Sequence, residues 1–528
     1  MAATRNAHAV WEGDLFEGKG VVTLDSSGLG SYPVSWPART DEEANGRTSP
    51  EELIAAAHSS CFNMAFSNGL AKAGHPPVKL TTSAAVTFVP GKGITGIHLT
   101  VEGEVPGLDD DAFVARGYGP LVADPAGLLD LPAGFTYRVL SRAGDPLLSG
   151  EGRVPGNCDG MAAFGAGQGR VKLVRNHENR TTAALRVPPV EGLTYDPYAL
   201  GGCTLLDLDP AGRVTSERVA LAGTAVNCAG GRTPWNTWLS CEETEDRAGT
   251  AGYARDHGYV FEVDPADPQR SGAVPLTAMG RFAHEAVAVD PYLGVVYETE
   301  DAFVEPFGLF YRFLPARPLG GPGSLRAGGR LEAMRVPGLA NLAAVDEPGA
   351  RFPVEWVPVP DPSAAATPIR LQDFGPGGIT HAQKLEGCYW GGEGVYFVSS
   401  YSRTREGSPA DHHGQVWFYD PARALIRLDV VFGPAADVRL PGDSPDNICL
   451  APDGGLMVCE DGGGAQYVFG VTPGGEVYPV ARNADDIGGP GASEWGEFAG
   501  VTFSPDARTM YVNAYAPGTT FAVTGPWR

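Results

Sequence analysis

The sequence AVAVDPYLGVVYETED, residues 286–301, reads as a strand, a tight turn and a second strand that ends in acids. Small and β-branched residues flank the Asp290-Pro291 step, where proline fixes φ and aspartate bonds its own backbone, so the chain turns there. The same grammar returns along the chain. It is found in LLDLDPAGRV (205–214), YVFEVDPADP (259–268), VWFYDPARALIRL (416–428), CLAPDGGLMVCEDG (449–462), FGVTPGGEVYPVA (469–481) and FSPDARTMYVNAYAPGTTFAV (503–523). Strand–turn–strand units that recur without intervening helices are the signature of a β-propeller. Residues 114–528 are therefore expected to form one mainly β domain with room for five to seven blades. Residues 318–370, rich in Gly, Pro and Ala, read as a large surface insertion.

Composition agrees with this reading. Glycine (72) and proline (45) make up more than a fifth of the 528 residues, which favours short strands and many turns over helical bundles. A net charge of −24 excludes nucleic acid and anionic membranes as natural partners. No window is long and apolar enough to span a membrane, and the first residues show no export signature, which points to the cytoplasm. The eight cysteines, at 61, 158, 203, 228, 241, 388, 449 and 459, lack metal-finger spacing and read as thiols of a reducing compartment.

Acids recur in pairs where strands should end. They are His177-Glu178, Glu242-Glu243, His284-Glu285, Glu300-Asp301, Asp446-Asn447 and Glu460-Asp461. Singly, each could be a solvated turn. In separate repeats of a radial fold they could converge on the central channel, where so many carboxylates repel one another unless cations neutralise them. Their hard oxygens suit calcium, and the thiolate of Cys228 suits a transition metal. The candidate ligands are Glu178, Cys228, Glu242, Glu243, Glu285, Glu300, Asp446 and Glu460. Cys228 and the glutamates at 242 and 243 lie in NCAGGRTPWNTWLSCEE (227–243), where Gly230-Gly231 allows close approach of backbone or ligand. Trp235, Trp238, Trp390 and Trp417 read as packing between blades, and Cys388, Cys449 and Cys459 as small hydrophobes. His381 reads either as a ligand or as a satisfied core histidine, and His412-His413 as a solvent loop.

Residues 117–528 resemble the PhoX alkaline phosphatase family. The resemblance runs in order through GYGPLVADPAGLLDLPAGFTYRVLSRAGD, GMAAF, LVRNHE, NCAGGRTPWNTWLSCEE, MGRFAHEAVAVDP, HAQKLEGCYWGGEGVYFVSS and PGTTFAVTGPW. It implies a six-bladed propeller whose channel holds iron (Fe³⁺) and calcium (Ca²⁺) and hydrolyses small-molecule phosphomonoesters. By motif, Cys228 would ligate iron, Glu178, Glu243, Glu285 and Asp446 would share iron and calcium, and Arg281 would hold the substrate phosphate. Two departures matter. Ser444-Pro445-Asp446-Asn447 stands where relatives carry Arg-Pro-Glu-Asp, and relatives begin with a twin-arginine export signal. A lactonase or esterase using calcium, and a calcium-stabilised binding propeller without chemistry, remain alternatives, because propellers with acidic channels support all three.

The first 113 residues follow another pattern, α+β. GVVTLDS, VKLTTSAAVTFVP and GIHLTVEGEV read as strands, and TSPEELIAAAHSSCFNMAFSNGLAKAG as a helix. Thr48 or Ser49 can cap it, Pro50 suits its first turn, and Glu51 and Glu52 complement its dipole. It is apolar over most of its circumference and is expected to be buried, with Cys61 a packed thiol on that reading. The helix, SYPVSWPAR before it and VEGEVPGLDDDAF after it resemble the OsmC/Ohr family of thiol-dependent hydroperoxide reductases. That resemblance implies a peroxidatic Cys61, an Arg39 that holds its thiolate, a Glu51 that orients the arginine, and pairing as a homodimer. The family's last helix and its resolving cysteine have no counterpart here, so the domain reads as incomplete.

Overall fold

The computed structural model describes residues 4–527 apart from 41–45, 73–74, 91, 107–116, 401–412, 433–443 and 490–491. The run 107–113, the 113/114 boundary and His412 lie outside the described residues. The chain divides into two compact units, Met1–Ala115 and Arg116–Arg528.

In the first unit, a helix at Pro50–Lys72 packs on the hairpin Lys79–Val89 and Gly93–Glu104. The strands His8–Glu12, Lys19–Thr23 and Ser31–Val34 form a separate sheet. Ser49 caps the helix, its hydroxyl accepting from the Glu52 amide at 3.2 Å. The expectation of a buried helix is corrected: Glu51 is its one buried residue among those described, and Ala57, Cys61, Met64 and Asn68 are exposed. The two-stranded hairpin covers only one face, which an all-round apolar sequence cannot reveal. No described helix is long and apolar enough to cross a membrane.

The second unit is mainly β and propeller-like. Its described strands form six antiparallel sheets. Their first strands are Cys158–Gly165, Asn227–Arg232, His284–Val289, Leu385–Trp390, Pro445–Leu450 and Phe498–Phe503. Each packs against the next, and the sixth packs against the first, so they close a ring. Residues 318–370 are more than an insertion: Gly329–Arg335 and Glu355–Pro358 extend the third sheet, and Arg351–Pro353 edges the fourth. Pro and Gly are tolerated there because outer strands need not donate on both sides.

The N-terminal part of the unit completes the last two sheets. Leu129–Pro132 pairs with Val477–Asn483, and Thr136–Arg142 pairs with Thr519–Thr524. Apolar side chains fill the spaces between sheets. Tyr297, Phe310, Phe397, Trp417 and Tyr419 form one such cluster, each worth about 1.5–3 kcal/mol of burial. Trp238 and Trp417 lie in these clusters, as expected of packing residues.

One detail of register repeats and positions everything that follows. In the first five sheets the first strand pairs at its first residue, bulges over its second and third, and resumes at its fourth. In the sixth the bulge comes one residue later. A bulge re-aims the side chain it carries. The glycine after it is demanded by crowding: a Cβ on Gly160 would lie 2.6 Å from Ala229 Cα, and one on Gly387 2.5 Å from the Asp446 carbonyl oxygen.

Candidate metal centre

The second residue of each first strand is, in sheet order, Asp159, Cys228, Glu285, Glu386, Asp446 and Ala499. Five of these six are metal-ligand types, and they are the five carried by the early bulge. The residue that follows each second strand is Glu178, Glu243, Asp301, Ser400, Asp461 and Tyr515. These two series meet. Ligand atoms of Asp159, Glu178 and Cys228 lie within 4.8 Å of one another, as do those of Cys228, Glu243 and Glu285, and those of Glu285, Glu386 and Asp446.

The three groups share Cys228 and Glu285, so they form one chain of donors. The Cys228 Sγ lies 3.1 Å from Glu285 Oε1 and 3.5 Å from Asp159 Oδ2, and its single S–H can serve either. Asn176, opposite the bulge of the first sheet, fixes the neighbouring strand by donating to the carbonyls of Cys228 (2.8 Å) and Ala229 (2.7 Å). Thr299 repeats this role by donating to the carbonyl of Glu386 at 2.7 Å. Arg180 joins Glu178 (2.7 Å) to Glu243 (3.2 Å) while its side chain remains 59 % exposed.

Burial pushes the carboxyls of Asp159, Glu243, Glu285 and Asp446 well above the usual range, and their neighbours' charges push them further. Burial and the same carboxylates also hold the Cys228 thiol protonated. Asp159 Oδ1, Glu285 Oε2 and Asp301 Oδ1 are buried without a hydrogen-bond partner among the described residues. Buried polar atoms cost about 1–3 kcal/mol each when left so. Orphaned hard oxygens beside a thiol are the donor set that hard and borderline cations satisfy together. The residues fit a metal cluster.

Alternation at the ends of the second strands divides the pairs at 177/178, 242/243, 300/301 and 460/461, while Glu285 and Asp446 are placed by the bulges of their first strands. Glu178, Glu243, Glu285 and Asp446 are brought together, and Glu242, Glu300 and Glu460 are not among them. Glu242 accepts from the amides of Ala225 (2.8 Å), Gly258 (2.9 Å) and Tyr259 (3.1 Å) and from His257 Nδ1 (2.6 Å). Glu300 accepts from Tyr311 Oη (2.6 Å), Arg370 (3.0 Å) and the Leu309 amide (3.2 Å). Glu460 accepts from the Tyr467 amide at 2.9 Å. These three staple their own sheets.

Arg281 is buried, donating to the carbonyls of Glu245 (2.9 Å) and His257 (3.3 Å). His381 bonds the Phe307 carbonyl at 2.7 Å, the satisfied state of a core histidine. Ser444 is buried and gives its carbonyl to the Asp461 amide. Asp159, Glu386, Asp301, Asp461 and Lys384 join the ring beyond the sequence-derived ligand set. Asp159-Gly160 and Glu386-Gly387, an acid followed by the glycine that close approach demands, are the signal that would have found two of them.

In the first unit, Arg39 and Glu51 form a close ion pair, 2.6 Å from Nη2 to Oε1, with the guanidinium 4.0 Å from the Phe88 ring centroid. The arginine lowers the Glu51 carboxyl against the opposing effect of burial. Cys61 shares the helix with Glu51 but lies ten residues on, about 15 Å along the axis. It is exposed and is not brought to that pair.

The alkaline phosphatase PhoX family model matches residues 116–218 and 211–518. The Pseudomonas fluorescens PhoX structure in complex with vanadate, a transition state analogue, is similar with a TM-score of 0.57 and 19 % identity, over 77 % of this chain and 97 % of that one. At this identity the likeness concerns the fold. The OsmC-like protein family matches residues 42–116. Peroxiredoxin OsmC of Escherichia coli (strain K12) is 40 % identical over 116 residues, 21 % of this chain and 80 % of the relative, and Peroxiredoxin OsmC of Shigella flexneri gives the same figures. The chain thus belongs to the alkaline phosphatase PhoX family through its second unit and to the OsmC-like proteins through its first.

Proposed function

We propose that the second unit is a six-bladed β-propeller, one blade per sheet, that hydrolyses small-molecule phosphomonoesters with iron and calcium at its ring of acids. The observation that carries this reading is the convergence of Asp159, Cys228, Glu285, Glu386 and Asp446 from five successive first strands, with orphaned carboxylate oxygens among them. Cys228, Asp159, Glu178, Glu243 and Glu285 would hold the iron, since they surround the one thiol, and the all-oxygen group of Glu285, Glu386 and Asp446 suits calcium. Bound metals would polarise the phosphoryl oxygens and supply a deprotonated water as nucleophile.

The protein's own groups do the rest. Arg180, exposed at the carboxylates of two sheets, offers bidentate donors to an arriving phosphate. Asn176 and Thr299 hold the first strands at fixed spacing, so the ligands do not reorganise during turnover. Arg281 is buried and donates to the backbone carbonyls of Glu245 and His257, which makes it a weaker candidate for phosphate contact than Arg180.

Hydrolysis of an aryl phosphate by the full chain purified without chelator is the test. Activity abolished by EDTA and reduced about 100-fold or more by Cys228→Ser is expected. Cleavage of lactones or carboxylic esters instead, or a metal-loaded protein inert to all three, would overturn it. The N-terminal unit carries a separate reading, favoured by an accessible Cys61 and by 40 % identity to a peroxiredoxin, although Cys61 would have to approach the Arg39–Glu51 pair for the arginine to hold its thiolate. Its thiolate would attack an organic hydroperoxide, releasing the alcohol and leaving a sulfenic acid for an external thiol to reduce. Peroxide consumption unchanged in Cys61→Ser would remove that reading.

A further inference from the structure

We infer that the ammonium of Lys384 takes the place of one divalent cation in the acidic ring of this chain. The inference rests on the metal-ring reading above and concerns how many cations the ring needs. The residue just before each first strand is Asn157, Val226, Ala283, Lys384, Ser444 and Glu497, and Lys384 is the one cation in that series. Its backbone holds a left-handed φ of 45°, a conformation disfavoured for a lysine, and its carbonyl is fixed by the Ser400 amide at 2.8 Å. Asn157 (φ 51°), Val226 (53°) and Ser444 (48°) share that conformation at the same position, so it belongs to the repeat, and what sets Lys384 apart is its charged side chain. Only 6 % of the residue is exposed.

Nζ pairs with Glu386, a member of the Glu285–Glu386–Asp446 group, and with Asp461 Oδ2 at 3.0 Å, so it bridges the fourth and fifth sheets. The charges of Asp301 and Asp446 also act on it. Asp301 Oδ1, buried, has no hydrogen-bond partner among the described residues. An ammonium is a compact point charge with three donors. Set among carboxylates from adjoining sheets, with the Phe303 ring 5.3 Å away on another side, it supplies the attraction that a calcium ion would otherwise supply.

The substitution Lys384→Met keeps the length of the side chain and removes the charge. Calcium and iron are to be counted by elemental analysis of full-length wild type, K384M and K384R, each purified without chelator and dialysed against millimolar calcium. K384M is expected to hold about one more divalent cation per chain than wild type, and K384R the same number as wild type. An unchanged count in K384M would overturn the inference. So would failure of K384M to fold in calcium, because the ion should replace the ammonium. The wild-type count by itself judges the metal-ring reading, and the difference between variants judges Lys384, so the two can fail separately.

Discussion

Glu242 and Glu243 stand side by side at the end of one strand, and a strand sends successive side chains to opposite sides. Glu242 is turned into its own sheet, where three amides and His257 donate to it; Glu243 is turned to the ring, where other carboxylates surround it. Opposite consequences follow for mutation. Glu242→Ala leaves buried donors and a buried histidine without their acceptor, and about 3–5 kcal/mol of stability should be lost in urea unfolding, with or without metal. Glu285→Gln removes a repelled charge, so in EDTA it should unfold at higher urea than wild type, and in calcium at lower. Equal effects of the two variants under chelation would show that Glu285 is also a structural acceptor. The sequence displays both acids of each pair but not which one faces inward, because that depends on pairing register. Asp159 and Glu386 escaped notice as single acids, although each is followed by a glycine.

At the scale of the strand, the repeated bulge decides where ligands can be. It takes two residues of the first strand to oppose one of the second, which leaves the second residue aimed at the ring in five sheets. The sixth sheet bulges one residue later and places Ala499 there instead. Gly387 makes the arrangement sterically feasible between the fourth and fifth sheets, where a Cβ would meet the Asp446 oxygen at 2.5 Å and the Ile448 nitrogen at 2.9 Å. Gly387→Ala should therefore cost about 1–3 kcal/mol and weaken metal retention, whereas Gly463→Ala, in open space, should change stability by less than about 0.5 kcal/mol. Thermal unfolding of both proteins checks this, and similar losses would argue against crowding as the reason for Gly387. The turn chemistry of the repeats was legible from Asp-Pro and Pro-Asp-Gly steps. The bulges were not, since no residue type marks them uniquely, and the strands inside residues 318–370 were hidden by a composition suited to outer edges.

Across the whole second unit, buried carboxyls whose folded pKa is raised tie stability to pH. Burial lifts Asp301 to about 8, with Glu386 adding to the shift, and lifts Asp159, Glu285 and Asp446 well above the ordinary carboxylate range. Between that ordinary range and about pH 8 the chelated folded state binds more protons than the unfolded chain, so stability falls as pH rises. In EDTA the melting temperature should be higher near pH 5 than near pH 8 by several degrees, and saturating calcium should flatten or reverse the trend. A flat profile in EDTA would mean that the acids are neutralised by something other than cations. The closed ring also has a consequence for synthesis. Strand Thr136–Arg142 takes its place only against Thr519–Thr524, about 380 residues later in the chain. At ribosomal rates of about 5–20 residues per second it waits roughly 20–75 s for its partner, an edge left open until that strand has been made. The first unit emerges long before then, so the nascent chain carries it ahead of a second unit whose last sheet only strand Thr519–Thr524 can complete.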